Sequence, residues 1–478
     1  MESFSDYSVW GWMLIFAILL SSMLAGNILK KGIPFLRESL IPTSVLGGAI
    51  LVIVAAVYKW IAGTPMFEAA IFGGRGTSSL EIITYHALAL GFIASAFKTN
   101  GGKLTKKRNT EIFNTGVTTV STYLVQGILG LVITVIAALI IKDFFAASGL
   151  LAAFGYGQGT GQALTYGAIY EEISKESGGS FGGKNFALVI AAMGFISASL
   201  GGVIHLNVMK KLGRLRPSSR TDGSLHTDEL ESSDEIPMQE SMDKMTVQIA
   251  LIAVAYLFAY FLMFALAKLI PSMTSVIYGF NFLVGVLTAT LIKVVLNFLR
   301  KKGIMKKKYP NNFLMARTSN FFFDLMVVSG VAAIRLDDIQ DYWGVLLILG
   351  VTETVATYLY NRFVAKTLFS DYSEEQFLAM YGMLTGTAST GIILLREIDG
   401  DFKTPAADNL VYQNFFAIML GFPIIILARL APENPFLCLG ILIGLFIVMN
   451  VILFRSRIFR RKSFSKGKTE EREFAKTE

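Results

Sequence analysis

A succession of apolar segments, each near the length that crosses a lipid bilayer, constrains this chain more than any other feature. A transmembrane helix needs about 20 apolar residues to span a hydrocarbon core of about 30 Å. Only 16% of the residues are charged and 53% are hydrophobic, whereas a soluble domain carries about a quarter charged residues. We therefore predict an all-α integral membrane protein with eleven spans, at residues 8–28, 41–60, 78–97, 114–140, 185–208, 246–269, 277–298, 319–335, 342–362, 409–429 and 436–454.

The basic residues predict the orientation, because Lys and Arg concentrate in cytoplasmic loops. One alternating set of connections holds most of them: Lys30, Lys31 and Arg37; Lys98 to Arg108; Lys210 to Arg220; Arg300 to Arg317; and the tail from Arg455 to Lys476. The net charge of +8 therefore indicates topology and not a nucleic-acid partner. We expect a multi-pass protein of a cell inner or plasma membrane, with its N-terminus outside and its C-terminus in the cytoplasm.

Two segments rich in Gly and Thr, residues 145–170 and 376–395, do not fit this alternation as simple spans. The predicted membrane sides of the loops remain consistent only if each segment enters and leaves on the same side of the membrane or forms a broken hairpin. We predict two such broken or re-entrant segments in addition to the spans.

The two segments also resemble each other. AAFGYGQGTGQAL and AMYGMLTGTASTG align at an offset of 227 residues, and the same offset places Gln126 opposite Glu353. Because five spans precede the second half, the halves have opposite orientations in the membrane. We predict a first inverted repeat at 1–209, a cytoplasmic linker at 210–244, a second inverted repeat at 245–430, an extra span at 431–454 and a basic cytoplasmic tail at 455–478.

Paired, interrupted segments in two inverted halves indicate a transporter's binding site near the bilayer midplane. Backbone groups that leave helical form in lipid must be satisfied by protein, water or ligand. Glycine permits close backbone approach, N–H groups at a half-helix start favour a carboxylate, and carbonyls with Thr hydroxyls are oxygen ligands for sodium. We predict the site within Gly155–Gly161 and Gly382–Thr390; the alternative is close helix packing on small residues.

Ionisable residues inside the apolar segments are functional candidates, because burying them in a membrane is costly. Glu353 would neutralise a coupling cation or carry a proton, or else serve as a hydrogen-bonded structural residue. Arg396 would pair with a substrate carboxylate, or else act only as a topology signal. His86 and His205 lack the spaced partners of a metal site, and no nucleophile motif or Walker loop occurs. We expect no enzyme and no nucleic-acid partner.

At these residues the chain resembles the bacterial sodium/glutamate symporter family, over roughly residues 15–430. GNILKKGIPFLRESLIPTSVLGGAIL is similar to the first two helices of that family, GYGQGTGQAL to its first Gly-rich motif and GMLTGTASTG to its second. Three positions depart from the family pattern. The family usually has His where this chain has Gln158, Pro where it has Ser389, and Asn near the position of Leu394.

The resemblance implies sodium-coupled uptake of glutamate or a related carboxylate by a homodimer, with a transport domain that moves elevator-fashion against a scaffold. A related transporter of a hydroxycarboxylate, or a channel, remains an alternative. The expected substrate and ion site comprises Gln126, Gly157, Gln158, Gly159, Thr160, Gly161, Glu353, Thr385, Gly386, Thr387, Ser389, Thr390 and Arg396. Thr160 and Thr387 are the expected sodium ligands; the only cofactor expected is the coupling ion, and the other partner is the lipid bilayer.

Overall fold

The computed structural model describes residues 6–38, 41–98, 105–212, 242–271, 274–305, 309–336, 342–399 and 403–459. Helices form the regular structure of these stretches, which contain no strand. The all-α class predicted from the sequence is therefore confirmed. Most of the predicted linker and all but the first five residues of the predicted tail lie outside the described residues.

The long helices follow the apolar segments of the sequence. In chain order the α-helices are α1 (Tyr7–Gly32), α2 (Pro34–Glu38), α3 (Thr43–Ala62), α4 (Gly76–Phe97), α5 (Lys106–Ile140), α6 (Leu151–Gln158), α7 (Thr160–Glu176), α8 (Gly183–Lys211), α9 (Lys244–Leu269), α10 (Thr274–Gly279), α11 (Asn281–Lys301), α12 (Asn312–Ala332), α13 (Trp343–Leu368), α14 (Ser373–Leu384), α15 (Ala388–Arg396), α16 (Ala406–Tyr412), α17 (Asn414–Glu433), α18 (Pro435–Leu453) and α19 (Arg455–Phe459). Short 3₁₀ turns occur at Met66–Glu68, Ala70–Phe72, Ala146–Leu150 and Ser370–Tyr372.

Ten helical segments of the described chain are long and apolar enough to cross a membrane. The chain is therefore a multi-pass membrane protein. The count is one below the eleven spans predicted, because the segment predicted at 319–335 overlaps α12, which is not among the ten. This helix has 21 residues but includes Arg317, Asn320 and Asp324, and these polar side chains lower its hydropathy.

The large apolar side chains on the outside of the molecule are suited to lipid. In the most apolar 18-residue stretch of each of α3, α9 and α18, only 22% of the residues are buried within the protein. Trp60 is 86% exposed and Leu139 is 81% exposed. Contact with hydrocarbon removes the cost that such residues would carry in water.

The helices pack in two groups that meet along α7. The flanking group comprises α1, α3, α4, α9, α11 and α12, in which α4 packs against α11 and α12. The hairpin group comprises α5 to α8 and α13 to α18, in which α5 packs against α13, α17 and α18. Helix α7 belongs to the hairpin group and also contacts α4 and α12. This shared surface places the two glycine-rich segments beside the flanking group.

Candidate functional site

The first glycine-rich segment forms a helical hairpin, defined here as residues 145–176. Its chain turns at Gly159, where φ is +84° and ψ is −174°, a conformation that side chains other than hydrogen strongly disfavour. The two arms lie side by side, since the rings of Phe154 and Tyr166 stack with centroids 3.6 Å apart and those of Phe145 and Tyr170 are 5.8 Å apart. The hairpin therefore returns to the end of α5 from which it started.

The second glycine-rich segment forms another hairpin, defined here as residues 370–396. Helix α14 ends at Leu384 and α15 starts at Ala388, so three residues form the tip. The arms touch at two glycines, because a methyl group added to Gly382 would lie 2.8 Å from the Cα atom of Gly391. Thr385 stabilises the turn by donating from its hydroxyl to the carbonyl oxygen of Tyr381 over 2.7 Å.

The two hairpins approach from opposite ends of α8 and meet halfway along it. The base of the first hairpin packs near the start of α8, where an added methyl group on Gly167 would lie 2.6 Å from the carbonyl oxygen of Gly183. The base of the second hairpin lies near the end of α8, where His205 Nε2 is 3.1 Å from Glu374 Oε2. Both tips touch Gly194, on which a methyl group would lie 2.5 Å from the Thr385 carbonyl oxygen and 2.8 Å from that of Tyr156. These contacts require glycine at position 194.

A cavity of 190 Å³ lies between the two tips and the flanking group. This volume would hold about six water molecules at about 30 Å³ each, which is the scale of a small solute. The first hairpin contributes Gly157 and Gln158, and the second contributes Gly386 and Thr387. Helices α4 and α12 contribute the largest shares of the remaining lining residues, which are Leu88, Phe92, Ser95, Lys98, Tyr123, Gln162, Ser319, Asn320, Phe323, Met326, Met383, Ala388, Ile392, Leu410 and Asn414.

Gln126 holds the second tip from α5. It is fully buried, and its amide Nε2 donates to the Thr357 hydroxyl over 3.0 Å and to the Leu384 carbonyl over 2.9 Å. The second bond satisfies a carbonyl at the end of α14 that has no partner within its helix. Gln126 also touches Gly157 of the first hairpin, so this one side chain contacts both tips.

Glu353 lies on the face of α13 that packs toward α5, together with the buried residues Leu346, Leu349 and Thr357. It is fully buried, and neither carboxyl oxygen has a hydrogen-bond partner among the described residues. Its neighbour Thr354 accepts a hydrogen bond from the Tyr156 hydroxyl over 2.9 Å. The candidate acid therefore sits behind the first tip and is not among the residues that line the cavity.

Two predicted residues of the first hairpin face away from the cavity. The Thr160 hydroxyl donates to the Met326 carbonyl over 3.2 Å and packs against Gly330 of α12. Gly161 fits against Leu88 and Met326. Neither residue lines the cavity, so the structure does not bring the two expected sodium ligands, Thr160 and Thr387, to one cavity surface.

The predicted residues of α15 lie at different distances from the cavity. The Thr387 and Thr390 hydroxyl oxygens are 3.4 Å apart, beside the tip, and Ser389 belongs to the same first turn. Arg396 ends α15, nine residues beyond Thr387, or about 13 Å along a helix. It does not line the cavity.

Lys98 is the cavity's basic residue that the sequence prediction missed. It follows the last residue of α4, and we had assigned its charge only to topology. Burial lowers the pKa of the Lys98 ammonium group from the ordinary value of 10.5. Its local backbone is held by Lys293, whose Nζ donates to the carbonyl oxygens of Ala96 and Lys98 over 2.6 and 3.1 Å.

Asn320 and Asn414 also line the cavity and were not predicted. Both lie in predicted spans, so a search for uncharged polar side chains in the apolar segments would have included them. Comparison of the sequence with protein-family models and with curated proteins finds no match. The site is therefore characterised by its own geometry.

Proposed function

We propose that this chain is a cation-coupled symporter that moves glutamate or a related small carboxylate by alternating access. The observation that carries the proposal is the shared cavity, to which two interrupted helical hairpins contribute their tips from opposite ends of α8. Discontinuous helices that meet at the middle of a membrane bundle are the usual construction of a transporter's binding site.

An inverted repeat accounts for this arrangement. In each half, three helices of the flanking group precede a long helix, a hairpin and another long helix. Gln126 of α5 and Glu353 of α13 occupy equivalent places at the offset that relates the two hairpins. Two oppositely oriented copies of one unit would deliver one tip from each side of the membrane, which makes both segments re-entrant in this proposal.

The division into two groups is suited to an elevator movement. The cavity has the hairpin tips on one side and α4 and α12 on the other, so a displacement of the hairpin group along the flanking group would carry the cavity across the membrane. In this proposal the flanking group is the scaffold and forms the interface of a homodimer. The basic connections face the cytoplasm, so Lys98 lies on the cytoplasmic side.

An anionic cargo is favoured by the charge of the cavity. Lys98 supplies an ammonium group, and the backbone N–H groups at the start of α15 lie beside Gly386, Thr387 and Ala388. Helix N-termini attract carboxylates through their unpaired N–H groups and the helix dipole. A carboxylate placed between them would gain charge-assisted hydrogen bonds, which are stronger than neutral ones.

The coupling cation expected from the family resemblance is sodium. Thr387 is the cavity residue best placed to contribute a hydroxyl oxygen to it, together with carbonyl oxygens of the tip. Sodium needs oxygen ligands rather than a His or Cys cluster, and the described residues contain no group of three or more His, Cys, Asp or Glu side chains that could hold a metal ion.

The test is uptake by the purified full chain in proteoliposomes. Labelled glutamate, aspartate and hydroxycarboxylates are offered under a sodium gradient, a proton gradient or neither. We expect accumulation of at least one carboxylate against its gradient. Failure of every carboxylate to accumulate, with folded protein in the vesicles, would reject the proposal, and a conductance without accumulation would indicate a channel.

Variants of Lys98 test the binding site in the same vesicles. Lys98→Ala should raise the half-saturating carboxylate concentration about tenfold or more, as expected for one charge-assisted hydrogen bond of about 1.5–3 kcal/mol, while Lys98→Arg should retain binding. Lys175→Ala, at an exposed position near the end of α7, is the matched control. Equal affinities for Lys98→Ala and the control would remove Lys98 from the site.

The pH dependence of affinity follows from the same group. Carboxylate binding requires the charged ammonium group, so it is present below the Lys98 pKa and is lost as pH rises through it. Because burial lowers this pKa, the loss should begin below the pH at which an ordinary lysine titrates. Lys98→Arg should abolish the loss, since arginine stays charged.

A further inference from the structure

We propose that Glu353 binds and releases a proton during the transport cycle, and that its protonated form holds the first hairpin as Gln126 holds the second. The inference rests on the proposed function and adds a second coupled ion to it. A sodium requirement at the cavity is compatible with it, because Glu353 lies behind the first tip and outside the cavity lining.

The Glu353 carboxyl group has no hydrogen-bond donor among the described residues. Both oxygens are buried, and within the described stretches no N–H or O–H group reaches either of them. A charged carboxylate in such a place would cost far more than a neutral carboxylic acid. The conformation described here therefore requires a proton on Glu353 or a cation beside it.

Gln126 makes the kind of hydrogen bond to a hairpin that Glu353 lacks. Its amide donates permanently to the Leu384 carbonyl at the end of α14, and an amide needs no proton from outside to do so. At the offset of the repeat, Gln126 corresponds to Glu353 and Leu384 corresponds to Gly157 at the end of α6. A carboxyl group can donate to a backbone carbonyl only when it is protonated, so the corresponding bond from Glu353 to the Gly157 carbonyl would form only in the protonated state.

Among the described residues, no cation forms a hydrogen bond with the Glu353 carboxyl group. The helices packed against α13 contribute few titratable groups near Glu353. Tyr156 of α6 donates to the adjacent Thr354, and Tyr123 of α5 lies next to the first tip at Gly157.

The Arg362 side chain, farther along α13, is already paired. Arg362 donates to both carboxyl oxygens of Glu374 from α14, and His205 from α8 lies between Glu374 and Tyr358. Neither of these side chains forms a hydrogen bond with Glu353. Because no cation of the described residues forms a hydrogen bond with Glu353, its charge is compensated most directly by a proton.

The chemical step is a simple proton transfer. Water on one side supplies the proton, an O–H bond forms at a carboxylate oxygen of Glu353, and the neutral acid donates to the backbone of the first hairpin. On the other side the O–H bond breaks and water takes the proton. The transfer involves no redox change and no other reactant.

The experiment compares wild type with Glu353→Gln in proteoliposomes that contain a pH-sensitive dye. Labelled glutamate and the other carboxylates of the transport assay serve as probes. Gln imitates the protonated acid but cannot release a proton. We expect Glu353→Gln to retain exchange of labelled for unlabelled solute and to lose pH-gradient-driven accumulation about tenfold or more, within the usual range of coupling between two ligands.

Two further variants make the comparison specific. Glu353→Asp keeps a titratable group and should retain part of the proton coupling. Glu176→Gln makes the same chemical change at an exposed position at the end of α7 and should behave like wild type. The inference is overturned if Glu353→Gln moves protons as wild type does, or if wild type concentrates a carboxylate without moving protons.

A spectroscopic measurement decides the protonation state without relying on transport. Infrared spectra of the wild-type protein should contain the carbonyl-stretch band of a protonated carboxylic acid, and Glu353→Gln should lack it. Absence of this difference overturns the inference even when transport is present. If no carboxylate is transported, the proposed function fails, and the band still shows whether Glu353 binds a proton.

Discussion

The two hairpins share a shape but differ in what surrounds their tips. Gly161 of the first hairpin fits between Leu88 of α4 and Met326 of α12, and Thr160 packs on Gly330. The second hairpin instead presents Thr387 to the cavity. The first hairpin is therefore the main contact between the two helix groups, whereas the second forms a wall of the cavity.

This difference assigns separate tasks to two related segments. Small residues at the contact between the first hairpin and α12 allow close approach with little interlocking of side chains, which is suited to a surface that slides. Polar groups at the second tip are suited to a ligand. The predictions below test this division in order of decreasing effect.

A substitution at Gly194 should disturb both hairpins at once, because both tips touch this residue. Gly194→Val should separate the tips, because even a methyl group would lie 2.5 Å from one tip carbonyl and 2.8 Å from the other. Overpacking of this kind costs about 1–3 kcal/mol or more. We expect loss of carboxylate binding together with a lower melting temperature, measured by thermal shift with and without ligand.

Gly444 provides the control for this substitution. It lies on α18 with nothing within 4 Å of an added methyl group, so Gly444→Val should bind and melt like wild type. Normal ligand binding by Gly194→Val would show that the contact of the tips is not needed for the site.

Gln126→Leu should affect the second hairpin more than the first. It removes the donor to the Leu384 carbonyl and leaves that buried oxygen unpaired, at a cost of about 1–3 kcal/mol. Hydrogen exchange measured by mass spectrometry should therefore increase at residues 381–388 more than at residues 155–162. Equal increases in the two segments would contradict the separate anchoring of the hairpins.

The sequence predicted the elements better than their surroundings. The predicted span at 246–269 and the segment at 376–395 lie close to the helices that form there, because hydropathy and glycine content report directly on lipid contact and on chain breaks. The start of α5 at Lys106 was placed eight residues too late, since its first turns are polar and extend beyond the apolar run.

The direction of individual side chains was outside the reach of the sequence. Thr160 and Thr387 align at the sequence offset of 227 residues, yet one faces α12 and the other faces the cavity. That choice depends on which helices cover each hairpin, which is a long-range property of the fold. Lys98 was missed for a related reason, because a basic residue at a helix end has the same appearance whether it faces the cytoplasm or a ligand.

Thr387→Val and Thr160→Val test whether the two equivalent threonines have separate tasks. Loss of the Thr387 hydroxyl should weaken carboxylate or sodium binding about fivefold, and loss of the Thr160 hydroxyl should lower stability by about 1 kcal/mol, each the worth of one hydrogen bond. Ligand titration and thermal shift measure both effects for both variants. If the two variants lose affinity equally, both threonines belong to the site.

Cysteine labelling compares the water accessibility of the same two positions. The chain has one cysteine, Cys438, which is buried. A water-soluble maleimide should therefore label Thr387→Cys, with protection by substrate, and should label Thr160→Cys far more slowly. Comparable labelling of the two cysteines would place water on both sides of the first hairpin.

The smallest expected effect concerns an ion pair that joins the two helix groups near the base of the first hairpin. Lys184 of α8 lies 2.7 Å from Glu81 of α4, and both side chains are partly exposed, so the pair contributes about 0–1 kcal/mol. If the groups slide past each other, Glu81→Gln should shift the balance between conformations by up to about fivefold. The shift is measured as a changed labelling rate of Thr387→Cys. Lys175→Gln is the control, because it breaks an ion pair within α7 alone. An equal change in labelling rate for Glu81→Gln and Lys175→Gln would mean that sliding does not break the ion pair between the groups.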